Sequence, residues 1–276
     1  MSFWRGGWAP GLLLAAALAA SAPVAAGAAP IRVASLDSCA DQFVLALAPR
    51  GEIVSLSKRA TSTDSYERAA AIGLPERRAS LETLLAEHAT VAVRYWTPDA
   101  SLPQALAKRG VRVIQLNEAN DFAAVRANVR EVAAGLGRGA AGEALIAQMD
   151  AKLASANHAW GGRSAAYLTS LGFTAGDGTL VGAVMRAAGL TPEAKGPGYG
   201  PLPLESLVLN PPAALVLAFF DQLAGGRQHW AIGDAARVQA LSGRPTIAAL
   251  PAAVLGCPAW FAADGATILA SAARKP

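Results

Sequence analysis

The order strand, loop, helix begins at Ile31-Arg-Val-Ala-Ser-Leu36, continues through Asp37-Ser-Cys-Ala-Asp41 and ends in Gln42–Ala48. The same order returns in the second half, where Ala165–Leu171 precedes Thr-Ala-Gly-Asp-Gly at 174–178 and the apolar run Leu180–Ala188. Short strand-like and helix-like segments alternate around both copies: Ile53–Leu56, Leu81–His88, Val91–Tyr95, Leu102–Arg109, Val111–Leu116, Leu204–Leu207, Ala214–Ala218, Asp234–Leu241, Thr246–Leu250 and Asp264–Ala273. Such alternation predicts parallel sheets covered by helices, one in each half.

Two helices are predicted between the halves. In Phe122–Leu136, apolar residues recur at spacings of four, three and four, which is one face of a helix. Ala140–Asn157 is a second helix and would span roughly 27 Å. The predicted architecture is α/β: two Rossmann-like lobes with parallel sheets, joined by a long helix, with a ligand cleft between them. We expect a signal peptide at 1–26, an N-terminal lobe at 27–120, a helical linker at 121–160 and a C-terminal lobe at 161–276.

The first residues are typical of a cleavable export signal. Arg5 supplies the positive charge, Gly11–Ala20 is continuously apolar, and small residues favour cleavage after Ala26, with Ala22 as a competing site. The apolar run is shorter than the roughly 20 residues of a membrane span. No cysteine lies at the junction, so we expect a soluble periplasmic protein without a lipid anchor.

Charge and motifs narrow the class of function. The net charge of +4 falls to +3 without Arg5, and the basic residues are scattered apart from the pairs Lys58-Arg59 and Arg77-Arg78, which argues against nucleic-acid binding. Neither a nucleophile elbow nor a phosphate-binding loop is present. The three histidines lie far apart, so no catalytic residues, metal site or cofactor are predicted.

Aromatic and polar residues in loops are the candidate ligand contacts. Ligands of α/β folds bind at the carboxyl ends of parallel strands, and loop aromatics offer wide contact surfaces. The aromatic candidates are Tyr66, Trp96, Tyr199 and Trp260, each placed in a loop beyond a strand. The polar candidates are Asp37, Ser38, Lys58 and Arg59. The Gly- and Pro-rich segment Lys195–Pro203, which holds Tyr199, is predicted to be a shaped loop without a regular element.

Two features of the sequence, the helix starts and the two cysteines, each allow two interpretations. Ser38 and Asp41 resemble a capping box; either they only cap the helix, or the remaining free amides hold a ligand, and Thr174–Thr179 offers the same choice. Ser80 is a predicted N-cap. Cys39 and Cys257 form either a disulfide or two buried thiols; export and the even count favour the disulfide.

Several segments resemble the solute-binding proteins of ABC importers for cobalamin, ferric siderophores and haem. The resemblance covers nearly the whole mature chain and is carried by Arg32–Leu36, Gly51–Ser57, Ser80–Val93, Ala107–Val113, Leu204–Leu217 and Pro258-Ala-Trp-Phe261. It implies two lobes with a rigid linking helix and a cleft in which Tyr66, Trp96, Tyr199 and Trp260 contact the ligand.

The resemblance also implies docking to a membrane permease through one surface glutamate in each lobe. Ala100 and Ala262 stand near those positions here, and Asp99 and Asp264 are the neighbouring candidate docking charges. An arginine common after the tryptophan motif is replaced by Ala263.

The resulting hypothesis is a monomeric periplasmic protein that captures a metal chelate for an inner-membrane ABC permease. A corrinoid ranks first, because aromatic candidates outnumber basic ones; a ferric siderophore is second and haem third. The alternatives are an exported α/β hydrolase or transferase with scattered catalytic residues, and a periplasmic adaptor that holds no small molecule.

Overall fold

The computed structural model describes residues 1–2, 30–169, 171–201, 204–219 and 246–273. Its strands are β1 Val33–Ser35, β2 Ile53–Ser55, β3 Val91–Arg94, β4 Arg112–Gln115, β5 Ser164–Thr169, β6 Phe173–Ala175, β7 Thr191–Pro192, β8 Tyr199–Pro201, β9 Ala214–Ala218 and β10 Thr246–Leu250. Its α-helices are α1 Ser38–Leu47, α2 Arg68–Ala71, α3 Leu81–Ala86, α4 Leu102–Ala107, α5 Phe122–Gly135, α6 Gly139–Ala156, α7 Leu180–Ala187, α8 Leu204–Leu209, α9 Ala252–Leu255 and α10 Ala262–Ala273.

The first half forms a parallel sheet in the order β2-β1-β3-β4. Both faces of this sheet are covered, because Val91 and Val93 of β3 pack into one apolar cluster and Ala92 packs into another. Burial on two sides explains why the strands are continuous apolar runs. Their carboxyl ends therefore emerge together at one edge, where the loops after β1, β2 and β3 meet.

The second half repeats the design with the parallel order β10-β9-β5-β7. A two-stranded antiparallel ribbon, β6 with β8, follows β5. The expectation that Lys195–Pro203 lacks a regular element is wrong, because Tyr199–Pro201 pairs with Phe173–Ala175. Pairing with a distant strand outweighs the local Gly and Pro content, and a proline is tolerated at the edge of such a ribbon.

Helices α5 and α6 connect the two sheets along the chain. The predicted stripe on α5 is buried at Val125, Val129 and Val132. The helices approach so closely that a Cβ on Gly142 would lie 2.5 Å from the Cβ of Ala133. The ion pairs Arg126–Asp150 and Arg130–Glu143 tie their exposed sides together.

The predicted α/β class with parallel sheets and a long connecting helix is confirmed. One apolar cluster runs from Val33 in the first half to Ala272 in the second, and the described residues from Ile31 onward pack as one unit. Within the described residues, no helix combines the length and the apolar character needed to cross a bilayer. The predicted signal peptide and the predicted helix Asp234–Leu241 lie outside the described residues, apart from Met1 and Ser2.

Candidate functional site

A cavity of about 900 Å³ opens at the carboxyl ends of β1, β2 and β3. Three of its walls are the loops that follow those strands, and a fourth is the segment leading into α3. The described residues that line it are Leu36–Ser38, Ser57–Arg59, Arg77–Glu82, Trp96–Asp99, Ser101, Leu102 and Ala105. Six of the predicted site residues meet here: Asp37, Ser38, Lys58, Arg59, Trp96 and Asp99.

Asp37 fixes two of the cavity walls. It is the N-cap of α1, and its Oδ1 accepts hydrogen bonds from the amides of Cys39 and Ala40, both at 3.0 Å. Its Oδ2 accepts from the amides of Tyr95 and Trp96, at 2.7 and 3.0 Å. Burial raises the pKa of this carboxyl, and the four amide donors oppose the rise. The predicted capping box at Ser38 is therefore wrong, since Asp37 is the cap.

The basic side chains of the cavity fall into two pairs. Arg59 is bonded to Asp64, and Arg77 contacts Glu87 at 3.3 Å. Within the described part of the chain, Lys58 and Arg78 have no hydrogen-bond or ion-pair partner, and both are exposed. Two such cations at one cavity create a positive potential that attracts anions.

The acidic residues at the rim of the cavity already accept hydrogen bonds from neighbouring groups. Asp99 accepts from the amide and the hydroxyl of Ser101, and these bonds lower its pKa, the hydroxyl most strongly. Glu82, in the first turn of α3, has its pKa lowered by its own amide and by the Ser80 hydroxyl. Ser80 is the N-cap of α3, as predicted, and accepts from the amide of Thr83 at 3.2 Å.

Trp96 and Tyr199 are the two exposed aromatic candidates. Trp96 lines the cavity and is 63% exposed, and Tyr199 is 61% exposed. Partial desolvation, and after it the charge of Glu118, raise the pKa of the Tyr199 phenol. Glu118 accepts a hydrogen bond from Tyr95, the residue before Trp96. The β6–β8 ribbon of the second half thus approaches the loop after β3 of the first half.

Trp260 lies in the core and not at a loop tip. It is only 5% exposed, and its ring packs edge-on against Phe43 of α1, with the centroids 5.2 Å apart. Beside it, Cys39 of α1 and Cys257 are joined in a disulfide. We correct the expectation that Trp260 presents its ring to a ligand, because its faces are covered by neighbouring side chains.

Tyr66 and Asp264 belong to the same contact. The Tyr66 ring stacks on Phe261 at 4.3 Å, and its hydroxyl donates to Asp264 Oδ2 at 2.5 Å. Lys152 of α6 forms an ion pair with the other oxygen of Asp264. Asp264 is therefore occupied and is not a free surface charge for docking.

We refer to this contact between the two halves as the seam. It comprises Cys39, Phe43, Tyr66, Lys152, Cys257, Trp260, Phe261 and Asp264.

At the second predicted helix start, the cap and the amides of the preceding turn already have partners. Thr179 is buried and caps α7 by accepting from the amide of Gly182. The amides of Gly176, Asp177 and Gly178 donate to carbonyls of the segment 194–198. Of the two readings of Thr174–Thr179, the purely structural one fits these bonds.

Three groups near the site were not assigned from the sequence. Arg77 and Arg78 are visible in the sequence only as a basic pair; they lie three and two residues before the α3 cap Ser80 and line the cavity. Asp41, fully buried, bonds to Ser57.

Among the described residues, no cluster of three or more His, Cys, Asp or Glu side chains is arranged to hold a metal ion.

Neither a protein-family model nor a curated protein sequence matches the chain. Solved structures do match it. The periplasmic heme-binding protein RhuT from Roseiflexus sp. RS-1 is 22% identical with a TM-score of 0.69, over 89% of this chain and 100% of that one. An ABC-type Fe3+-hydroxamate transport protein from Saccharomonospora viridis DSM 43017 is 18% identical with a TM-score of 0.64, over 89% and 94% of the chains.

The periplasmic vitamin B12 binding protein BtuF of Vibrio cholerae is also similar, with 15% identity and a TM-score of 0.60, over 89% of this chain and 97% of that one. All three are described as binding or transport proteins, and each match spans nearly the full length of the solved chain. The resemblance noted in the sequence is thus confirmed at the level of the fold. The chain has the fold of periplasmic solute-binding proteins for haem, siderophores and vitamin B12.

Proposed function

We propose that this protein is a periplasmic binding component of an ABC importer and that it captures an anionic metal chelate. The observation that carries the proposal is the cavity at the first sheet, in which Lys58 and Arg78 are exposed and have no partner among the described residues, beside the exposed ring of Trp96. Binding proteins of the same fold supply the class of ligand. The mechanism is capture without covalent chemistry.

The cavity favours a ligand with a flat or apolar body and an anionic edge. Trp96 offers a wide ring on which such a body stacks. Lys58 and Arg78 offer donors to carboxylate or phosphate groups, and charge-assisted hydrogen bonds of this kind are the strong ones. Haem carries two carboxylates, many ferric siderophores carry several anionic oxygens, and cobalamin carries one phosphate.

This charge pattern changes the order of ligands expected from the sequence. A corrinoid ranked first because aromatic candidates outnumbered basic ones. At the cavity itself, Trp96 is accompanied by four basic side chains, and Trp260 is buried elsewhere. We therefore propose a carboxylate-bearing chelate, haem or a ferric siderophore, ahead of a corrinoid.

The permease is the proposed protein partner. Asp99 remains a candidate docking charge because it is exposed at the rim of the cavity. Export to the periplasm through the predicted signal peptide is part of the proposal.

A fluorescence titration tests the proposal directly. Mature protein is titrated with haem, ferric siderophores and cobalamin, and quenching of tryptophan emission is corrected for ligand absorbance. We expect saturable binding of one chelate at micromolar or lower concentration. A K58A/R78A variant should lose about tenfold or more in affinity, since 1.4 kcal/mol corresponds to a factor of ten.

The matched control is K108A/R109A, which removes two exposed basic side chains that do not line the cavity. It should bind like the wild type, and the salt dependence of binding should decrease only in K58A/R78A. No binding of any chelate, or turnover of ester or phosphate substrates, would overturn the proposal in favour of an adaptor or an exported hydrolase.

A further inference from the structure

The buried carboxylate of Asp41 holds the loop that carries Lys58 through hydrogen bonds from Ser57. Asp41 lies in the first turn of α1 and has no exposed surface. Its Oδ1 accepts a hydrogen bond from the amide of Ser57 at 2.9 Å, and its Oδ2 accepts from the Ser57 hydroxyl at 2.5 Å. The same hydroxyl oxygen accepts from the amide of Arg59 at 3.1 Å. The backbone on both sides of Lys58 is therefore fixed through one carboxylate.

Asp41 does not itself line the cavity, whereas Ser57, Lys58 and Arg59 do. We propose that Asp41 is a positioning residue of the binding site: it holds the loop Ser57–Arg59 so that Lys58 is presented to the anionic edge of the ligand. The proposal rests on the proposed function for the identity of the site. It concerns a group that never touches the ligand.

The chemistry of this contact requires a carboxylate. Asp41 must accept two hydrogen bonds from one serine, and only an ionised carboxylate offers acceptors at both positions. An asparagine of the same shape keeps one acceptor, but its Nδ2 is a donor and cannot accept the Ser57 hydroxyl proton. An Asp41→Asn substitution therefore releases the hydroxyl end of the loop without creating a void.

The surroundings of Asp41 shift its ionisation to a higher pH than that of an ordinary aspartate. Burial raises its pKa to about 6, and the two bonds from Ser57 partly oppose the rise. Strand β1 contributes the neutral hydroxyl of Ser35 and the loop after β2 that of Ser57, and the charged side chain acting on Asp41 is Asp37 at the start of the same helix. Protonation of Asp41 as the pH falls through about 6 converts one of its two acceptor oxygens into a hydroxyl donor, so the carboxyl no longer accepts both hydrogen bonds from Ser57.

The test compares the wild type with D41N and with a matched control, D121N. Asp121 is likewise a helix-start aspartate that accepts a backbone amide, but it belongs to α5 and does not line the cavity. Hydrogen exchange at the amides of Ser57 and Arg59 is measured from pH 5 to pH 8, after correction for the intrinsic pH dependence of exchange. We expect the wild type to lose protection below about pH 6 at Arg59, whose amide donates to the Ser57 hydroxyl. D41N should have low protection at Arg59 at every pH while the Ser57 amide keeps the remaining acceptor, and D121N should follow the wild type.

Affinity and stability are then separated. D41N should bind haem, or the ferric chelate selected in the titration, about tenfold more weakly than the wild type at pH 7.5, with a pH profile lacking the inflection near 6. The raised pKa of Asp41 means that its contribution to folding is greatest below the ordinary Asp value of about 4 and declines up to about 6. Denaturant unfolding should therefore show that the free energy of unfolding of the wild type falls, relative to that of D41N, as the pH rises from about 4 to about 6.

Two results would overturn the positioning role: unchanged protection at Arg59 in D41N, or reduced affinity matched by a loss of stability equal at every pH. If no chelate binds even the wild type, the proposed function fails, while the exchange data still decide whether Asp41 holds the loop.

Discussion

The seam and the cavity contain the same kinds of residue, but among the described residues only the cavity leaves a tryptophan ring open and basic side chains without partners. In the seam, Trp260 is covered by Phe43 and Phe261, and Asp264 is bonded to Tyr66 and Lys152. In the cavity, the ring of Trp96 is open and Lys58 has no partner among the described residues. We expect substitutions in the seam to change stability and substitutions in the cavity to change binding of the proposed ligand.

The disulfide of the seam gives the largest expected effect on stability. Cys39 and Cys257 are 218 residues apart, and closing so long a loop restricts the unfolded chain strongly. A C39S/C257S variant should lose about 5 kcal/mol of unfolding free energy by the chain-entropy argument. Denaturant unfolding of the oxidised wild type and the variant measures the difference.

Ligand affinity of the same variant sharpens the comparison, because neither cysteine lines the cavity. We expect affinity per folded molecule to change little. A loss of stability below about 1 kcal/mol would show that the aromatic and ionic contacts hold the seam without the covalent bond.

The two tryptophans offer the most direct contrast. W260A removes a ring from the core and should cost about 3–5 kcal/mol of unfolding free energy. W96A removes an exposed ring and should change stability by less than about 0.5 kcal/mol, yet weaken chelate binding. Unfolding and titration of both variants measure the pair. Equal destabilisation by the two substitutions would remove the distinction between seam and cavity.

The sequence predicted the sheet edge well because its signal is local. Asp37, Lys58 and Trp96 each follow a parallel strand directly, and carboxyl ends of parallel strands necessarily share an edge. The same reasoning failed for Trp260, since α9 and a turn separate it from β10 and return it to the core. Position after a strand indicates the site only when no further element intervenes.

Local sequence patterns do not predict which residues far apart in the sequence form contacts in the folded chain. Asp264 and Asp99 are both aspartates near a predicted docking position, but only the folded chain brings Tyr66 and Lys152 to Asp264. Asp41 was read as part of a cap because the sequence does not show that Ser57, 16 residues later, returns to it. The ribbon at Tyr199 was missed for the same reason, as its strand exists only through pairing with Phe173–Ala175.

The smallest effect is expected from a single polar contact of the seam. Y66F keeps the ring on Phe261 and removes the hydrogen bond to Asp264, leaving Lys152 as the partner of that carboxylate. We expect a loss of about 1 kcal/mol in unfolding free energy at neutral pH, the usual net value of one hydrogen bond. Y199F is the matched control, because that tyrosine is exposed, and it should change stability by less than about 0.5 kcal/mol.

The pH dependence of this small effect identifies its origin. Burial, followed by the bond to Asp264, raises the pKa of the Tyr66 phenol above its ordinary value near 10. The stability contributed by a group with a raised pKa is present below the unfolded value and is lost as the pH rises beyond it. The difference between wild type and Y66F should therefore be constant up to about pH 9 and should shrink above about pH 10. A difference that persists undiminished at high pH would assign the effect to ring packing, and the hydroxyl of Tyr66 would then contribute nothing to the seam.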